Sequence, residues 1–167
     1  MSSELRVDKI VPIDGAPTNG GGGIVQVVNL VKTDSFSTTS TSLVDITGFS
    51  LSITPQFNNS KIMVLASGYI SSQGNNHGVH LFFYRTRSGQ SDVEVGKSYN
   101  QKATVQSQTG GTFVIQNLDS PATTSTLTYK GRLKTDSSSY NARIGAGGNN
   151  GTQNIPESVI TLLEVSV

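Results

Sequence analysis

The stretch SDVEVGKS at residues 91–98 ends as a phosphate-binding loop ends, with a glycine, a lysine and a hydroxyl side chain in a row. The chemistry of such a loop needs an opening glycine where Ser91 stands and a helix to follow, so that backbone amides converge on a phosphate. Gly89 lies two residues too early, the flanks read as strand and turn, and residues 96–101 are expected to form a turn. His77 and His80, in HGVH, are the two histidines of the chain. A strand would point them to opposite faces, and the sequence indicates neither a third ligand nor a nearby carboxylate; three copies of one histidine meeting on a symmetry axis is the remaining metal geometry. Serines are abundant, yet none sits in a Gly-x-Ser-x-Gly elbow. The eleven acids are scattered among basic and polar residues, as on a solvated surface, leaving a carboxylate pair in a groove between subunits as the one enzymatic alternative, for polysaccharide cleavage. Asn58 and Asn150 match the glycosylation acceptor but read as turn asparagines. Tyr84, Tyr99, Tyr129 and Tyr140, with Asn and Ser neighbours, offer apolar faces with polar tips for a sugar or receptor surface, against the plainer reading of solvated sheet tyrosines. No catalytic, cofactor-binding or metal-ligating residue emerges, and the chain is expected not to be an enzyme.

Composition narrows the classes further. Twelve basic and eleven acidic residues leave a net charge of +1, and the densest basic run is RTR at 85–87, too weak a field for nonspecific binding to nucleic acid. With no cysteine, disulfides and thiol chemistry are excluded. The start, MSSELRVDKI, does not read as an export signal, and no window has the roughly 18 apolar residues of a membrane span. Ser and Thr supply 41 residues while 14% are charged, the usage of a strand-rich body with polar turns.

The positioning elements are therefore strands. Candidates run at 24–31, 43–53, 61–71, 78–87, 92–96, 111–118, 124–135, 140–145 and 157–166, separated by turn-rich stretches such as TPQFNNS and GAGGNNGTQN. This pattern predicts an all-β antiparallel sandwich, in its commonest rolled form a jelly roll. In 43–53 the apolar set is Val44 and Ile46, then Phe49, Leu51 and Ile53. Strand period is two, so this change of parity requires an inserted residue, and Gly48 is the expected bulge. Segments 61–71, 79–84 and 159–165 are apolar on both faces. Either these are central strands capped by loops, or one face packs the core and the other packs identical subunits, as obligate interfaces resemble an opened core. On the second reading Met63, Leu65, Tyr69, Phe82, Tyr84 and Leu162 are the candidate subunit interface.

Ahead of this body, residues 5–13 set Leu5, Val7, Val11 and Ile13 against Arg6, Asp8 and Pro12, with Lys9 and Ile10 out of pattern. Pro12 cannot donate to a central ladder, so the segment reads as an extended edge strand or an arm that adds to another sheet. Four glycines, Gly20, Gly21, Gly22 and Gly23, follow as a hinge. The expected organisation is an arm and linker over residues 1–23 and a sandwich over 24–167, with Leu5, Val7, Ile10, Val11 and Ile13 as docking residues.

Together, SELRVDKIVPIDGAPTNGGGGIVQVV, DITGFSLSITPQFNNSKIMVLASGYIS and SVITLLEVSV resemble short virion structural proteins of tailed bacteriophages, especially phages of cyanobacteria and other aquatic bacteria. The second stretch carries the Ser-x-x-Ile-x-Pro strand end, polar turn and Ser-Lys-Ile entry into an apolar strand; residues 72–156 carry no matching motif. The resemblance implies a homotrimeric jelly roll similar to the tumour necrosis factor fold, without enzymatic activity or cofactor, at the virion surface. It implies capsid decoration or cementing, with the major capsid protein as partner. The alternative is a short tail fibre or receptor-binding protein on tail partners, whose loops at 72–78, 97–110 and 145–156 meet host glycan or protein.

Overall fold

The computed structural model describes residues 23–72, 77–100, 109–146 and 156–166. Ten strands run in order: β1 (Ile24–Lys32), β2 (Phe36–Thr38), β3 (Val44–Ile53), β4 (Lys61–Ser72), β5 (Val79–Thr86), β6 (Val93–Asn100), β7 (Thr109–Asp119), β8 (Leu127–Thr135), β9 (Ala142–Ile144) and β10 (Ser158–Val165). The described residues form no helix. Their β-branched and aromatic runs alternate inward and outward, and polar turns separate them, as the composition requires.

The pairing is antiparallel throughout and nested. β5 pairs β6, β4 pairs β7 around them, β3 pairs β8 around those, and β1 pairs β10 outermost. A two-stranded ribbon rolled over itself gives this nesting, which makes the all-β sandwich a jelly roll. The rolled ribbon divides into two sheets. The first contains β1, β10, β4 and β7, with β9 and β2 continuing beside the far end of β4; the second is ordered β3-β8-β5-β6. Along one edge of β4, β10 takes residues 61–67 and β9 takes 70–72, while β7 takes the other edge over 62–72.

Between the sheets, the inward faces make one core. Ile62, Val64, Ala66 and Ile70 of β4 meet Leu81 and Phe83 of β5, Leu127, Tyr129 and Leu133 of β8, and Ile160 and Leu162 of β10. Phe49 joins the layers, edge-on to Phe83 at 6.0 Å and to Phe113 at 6.3 Å. It can do so because of the bulge expected at Gly48. Asp45 pairs Arg132 and the next pair is Ser50 with Lys130, so β3 carries three extra residues there instead of the one expected, and Gly48 at φ +73° turns within them in a backbone region that side chains disfavour. Ile46 therefore shares the core with Phe49 and Ile53 despite opposite parity, with Leu51 packed against it, while Val44 of the expected set stays outside the core cluster.

Two buried polar groups tie loops and sheets together. Glu164 faces inward on β10, fully buried, and accepts bonds from Gln26 Nε2 at 2.6 Å and from the amides of Gln56 and Phe57 at 2.7 and 3.2 Å, which fixes the turn between β3 and β4. At the other border, Arg85 Nη1 of β5 donates to both oxygens of Asp119 of β7 at 2.7 Å, and the Tyr129 hydroxyl donates to Asp119 Oδ2 at 2.7 Å. This bridge crosses from one sheet to the other, and burial together with the Asp119 carboxylate pushes the Tyr129 phenol well above its ordinary range.

Two elements depart from expectation. Residues 96–100 continue β6 instead of turning, which also leaves VGKS in a strand that cannot cradle a phosphate. The three-residue β2 was not anticipated; it pairs β9. The arm residues Leu5, Val7, Ile10, Val11 and Ile13 and the hinge residues Gly20, Gly21 and Gly22 lie outside the described residues. Gly23, the one residue of the expected hinge that is described, is held: its carbonyl accepts from the Ser166 amide at 3.1 Å and from its hydroxyl at 3.2 Å.

Candidate functional site

Strand alternation gives the first sheet an outward face as well as an inward one, and the register aligns its outward residues in rows. Val27, Leu163, Met63 and Leu118 form one row across β1, β10, β4 and β7; Asn29, Thr161, Leu65 and Gln116 form the next; Val31, Val159, Ser67 and Val114 form the third. The outer rows are apolar apart from Ser67, and Leu65 links them through the polar middle row, where Asn29 Nδ2 donates to Thr161 Oγ1 at 2.8 Å. No charged side chain stands in these rows. Val27, Val31, Val114 and Leu118 remain 53%, 45%, 65% and 47% exposed. Two shallow depressions, about 390 and 310 Å3, meet at Leu65 and Gln116 on this face.

The outward face of the second sheet has the opposite character. β5 presents His80, Phe82 and Tyr84, with the Phe82 and Tyr84 rings 6.4 Å apart and 21° from parallel. The Arg132 guanidinium of β8 lies 4.7 Å over the Tyr84 ring. It is fixed there by Nε on Asp45 Oδ1 at 2.6 Å and Nη2 on Asp92 Oδ2 at 2.5 Å, while Lys130 Nζ donates to Asp45 Oδ2 at 2.7 Å. Burial works against the charge on Asp45, but the Lys130 and Arg132 partners outweigh it and hold the carboxyl below its usual range. The same carboxylates stabilise the Arg132 charge against burial. Beyond this network Lys97 pairs Glu94 at 3.2 Å, His80 pairs Asp136, and His77 stacks on Tyr140 at 4.1 Å.

The six residues expected to share one interface are thus divided. Met63, Leu65 and Tyr69 lie on the outer face of the first sheet, and Phe82 and Tyr84 on the outer face of the second, on opposite sides of the sandwich. Leu162 belongs to neither. It is fully buried in the core, because the inward residues of β10 are Ser158, Ile160, Leu162 and Glu164. Its outward neighbours Leu163 and Val159 lie in the segment 159–165 expected to be apolar on both faces but were not named for the interface, and Val114 and Leu118 of β7 were not anticipated at all; the pattern GTFVIQNL, apolar at 113, 114, 115 and 118, was the available signal for these two. Tyr129 is also buried and occupied with Asp119. A carboxylate does stand beside His80, contrary to expectation, since Asp136 follows β8 at the end where β5 begins. Among the described residues no three His, Cys, Asp or Glu side chains are grouped to hold a metal ion, and no helix is long and apolar enough to cross a membrane. Asn58 sits in the turn between β3 and β4.

No protein-family model matches the chain, and no curated protein matches it. Among solved structures it is similar to a chain in the structure of the infectious bursal disease virus Gx strain, at 13% identity over 100% of this chain and 43% of that one, with a TM-score of 0.49. The VP2 subviral particle of the same virus aligns at 15% identity over 98% of this chain and 42% of that chain, with a TM-score of 0.49. Eiger, a tumour necrosis factor from S. frugiperda, aligns at 5% identity over 84% of this chain and 93% of that chain, with a TM-score of 0.36. The chain spans less than half the length of the viral chains, and at these identities nothing of their function passes to it.

Proposed function

We propose that this chain is a non-enzymatic structural protein of a tailed-bacteriophage virion, which assembles as a homotrimer and decorates or cements the capsid surface, docked on the major capsid protein through residues 1–14. The observation that carries the reading is the outward face of β1-β10-β4-β7. Four strands about 4.8 Å apart and three rows about 6.6 Å apart make roughly 400 Å2 of sheet surface, of which eight of the twelve positions are apolar, a patch of the size that is often functional on a soluble protein. The partner is a second copy of the chain. The three rows carry no charge, Lys61 standing one row beyond Met63 at their border, and they already satisfy their own Asn29–Thr161 pair, so they can meet their equivalents around an axis without burying an unpaired charge. The virion assignment is supported by the resemblance of the opening, the β3-to-β4 stretch and the final strand to phage modules.

The test is native mass spectrometry of the purified full chain, followed by the copy number per purified virion relative to the shell protein. Three chains per particle in solution and a copy number on the scale of the shell protein are expected. A monomer at every concentration would remove the oligomer, and absence from virions would remove the structural role. A second reading, a short tail fibre or receptor-binding tip, is favoured by one observation, the aromatic and ionic outer face of β3-β8-β5-β6. A handful of trimers per virion would establish it over decoration.

A further inference from the structure

Packing the first sheet around an axis turns the second sheet away from it. The outward face of β3-β8-β5-β6 is then the broad surface that each subunit shows to its surroundings. Its centre is the ledge made by Phe82 and Tyr84, neighbours on one side of a central strand whose rings lie 21° from parallel. Around the ledge, polar groups are held in place. Arg132 is fixed over the Tyr84 ring by Asp45 and Asp92, and Lys130 holds the other oxygen of Asp45. Asp45 nonetheless keeps 55% of its side chain exposed and Asp92 33%, so both carboxylates retain acceptor capacity towards solvent. Along the same face, Ser52 Oγ and Thr128 Oγ1 share a bond of 2.8 Å, which extends the ledge into a strip of hydroxyls.

Charge selects the kind of ligand. The carboxylates of Asp45, Asp92 and Glu94 are matched by Arg132, Lys130 and Lys97, so the face offers fixed donors and acceptors without a net field. An anion would meet three carboxylates and a cation three basic groups. A neutral ligand that both donates and accepts, and that carries a flat C–H surface for an aromatic ring, suits this arrangement. We infer that the outer face of β3-β8-β5-β6 is a binding site for a neutral saccharide, with a sugar ring on Phe82 beside the Tyr84 ring that Arg132 covers, and its hydroxyls shared among Arg132, Asp45 and Asp92. Preset side chains lower the ordering cost of binding, because Arg132 is already fixed before the ligand arrives. The inference deepens the receptor-binding reading, and the two fail separately: copy number decides the station on the particle, saccharide binding decides the site.

The experiment is saturation-transfer difference NMR on the purified full chain with tetrasaccharides of glucose, mannose, galactose and N-acetylglucosamine, a sialylated oligosaccharide serving as the acidic comparison. At least one neutral tetrasaccharide should receive saturation at its ring protons. That signal should fall at least tenfold in Phe82→Ala and in Tyr84→Ala, with native mass unchanged. Should either aromatic variant fail to fold, Asp92→Asn, which removes a partly exposed acceptor, should weaken binding several-fold while leaving the ledge intact. Transfer to no neutral member, transfer to the acidic one alone, or binding indifferent to all three substitutions would overturn the inference.

Discussion

A lysine at Leu118 should dissolve the oligomer and spare the fold. Leu118 is 47% exposed on the outer face of β7 and would be covered in the assembly. Full burial of a leucine side chain is worth about 1.5–3 kcal/mol, so covering the exposed half supplies about 1 kcal/mol per subunit, and three subunits about 3 kcal/mol. Three ammonium groups forced together near an axis add desolvation and repulsion of at least ~1–3 kcal/mol. The trimer association constant should therefore fall by about 10^3 to 10^4. Trimer formation depends on the square of monomer concentration, so the dissociation midpoint moves by the square root of that factor, roughly 30- to 100-fold upward. In the monomer the position is solvated sheet surface, where a substitution costs no more than about 0.5 kcal/mol, so the urea midpoint of the dissociated chain should barely change. Sedimentation velocity over a dilution series reads the shift, with Val93→Lys as control: Val93 is 41% exposed but begins β6 in the other sheet. Equal midpoints for Leu118→Lys and the wild type, or an equal shift for Val93→Lys, would refute the placement of the interface.

Other consequences follow from the buried polar groups, the bulge and the arm. Burial raises the Glu164 carboxyl, but bonds from Gln26 and the amides of Gln56 and Phe57 outweigh it and hold the group below the ordinary value of 4.5. A depressed carboxyl stabilises the fold above its unfolded value and loses that contribution as pH falls through the folded one. Glu164→Gln should therefore cost about 1–2 kcal/mol at pH 7, and the variant's urea midpoint should vary less than the wild type's below pH 4.5. Asp119→Ala leaves the Arg85 charge and the Tyr129 hydroxyl without their carboxylate at the border of the sheets. A loss of about 2–4 kcal/mol is expected in chemical denaturation, while a change under 0.5 kcal/mol would show the bridge to be unimportant. Gly48→Ala places a side chain at φ +73° with its Cβ 3.4 Å from Lys32 Nζ, and thermal unfolding should register a loss of about 1–2 kcal/mol. Removing residues 2–14 should leave a folded trimer by native mass that no longer cosediments with shells; retained attachment would exclude the arm as the dock.

What the sequence shows and what it hides follow from one rule and its exceptions. On β4 the inward set Ile62, Val64, Ala66 and Ile70 and the outward set Met63, Leu65 and Tyr69 are legible because side chains alternate along a strand, and burial follows that alternation cleanly from Lys61 to Ala66, before Ile70, Ser71 and Ser72 are buried in succession. The irregularity is legible because an apolar set that changes parity beside a glycine needs an odd insertion to stay on a single face; its size is not, since β3 carries three extra residues there where one was expected. On β10 the rule misleads: Leu162 and Leu163 are chemically alike and face opposite ways, and the one acid of the strand faces in. Nothing local announces that Glu164 is satisfied by amides more than a hundred residues away. β6 is hidden for a different reason. As an edge strand it contributes, among its described side chains, Val95 alone to the core, and glycine, lysine and serine at 96–98 imitate a turn. The aromatic platform is the least legible feature, since Arg132, Asp45, Asp92 and Tyr84 come together from three strands and a turn, and none stands near another in the chain.

The two faces are linked by the way the ribbon rolls. Nesting makes β1 and β10, first and last of the described strands, neighbours in the apolar sheet, with β1 at its free edge. The Ser166 bonds to Gly23 pin the root of the arm at that edge, beside Val27 and Leu163 of the first apolar row. An arm rooted there starts at the border of the face assigned to self-association and on the side of the sandwich away from Phe82 and Tyr84. The proposed docking arm joins the body at the β1 edge of the first sheet, whereas the proposed saccharide site lies on the outer face of the second. Neither proposal requires the other to be given up, provided that the trimer closes the apolar rows; left open, those rows would compete for both.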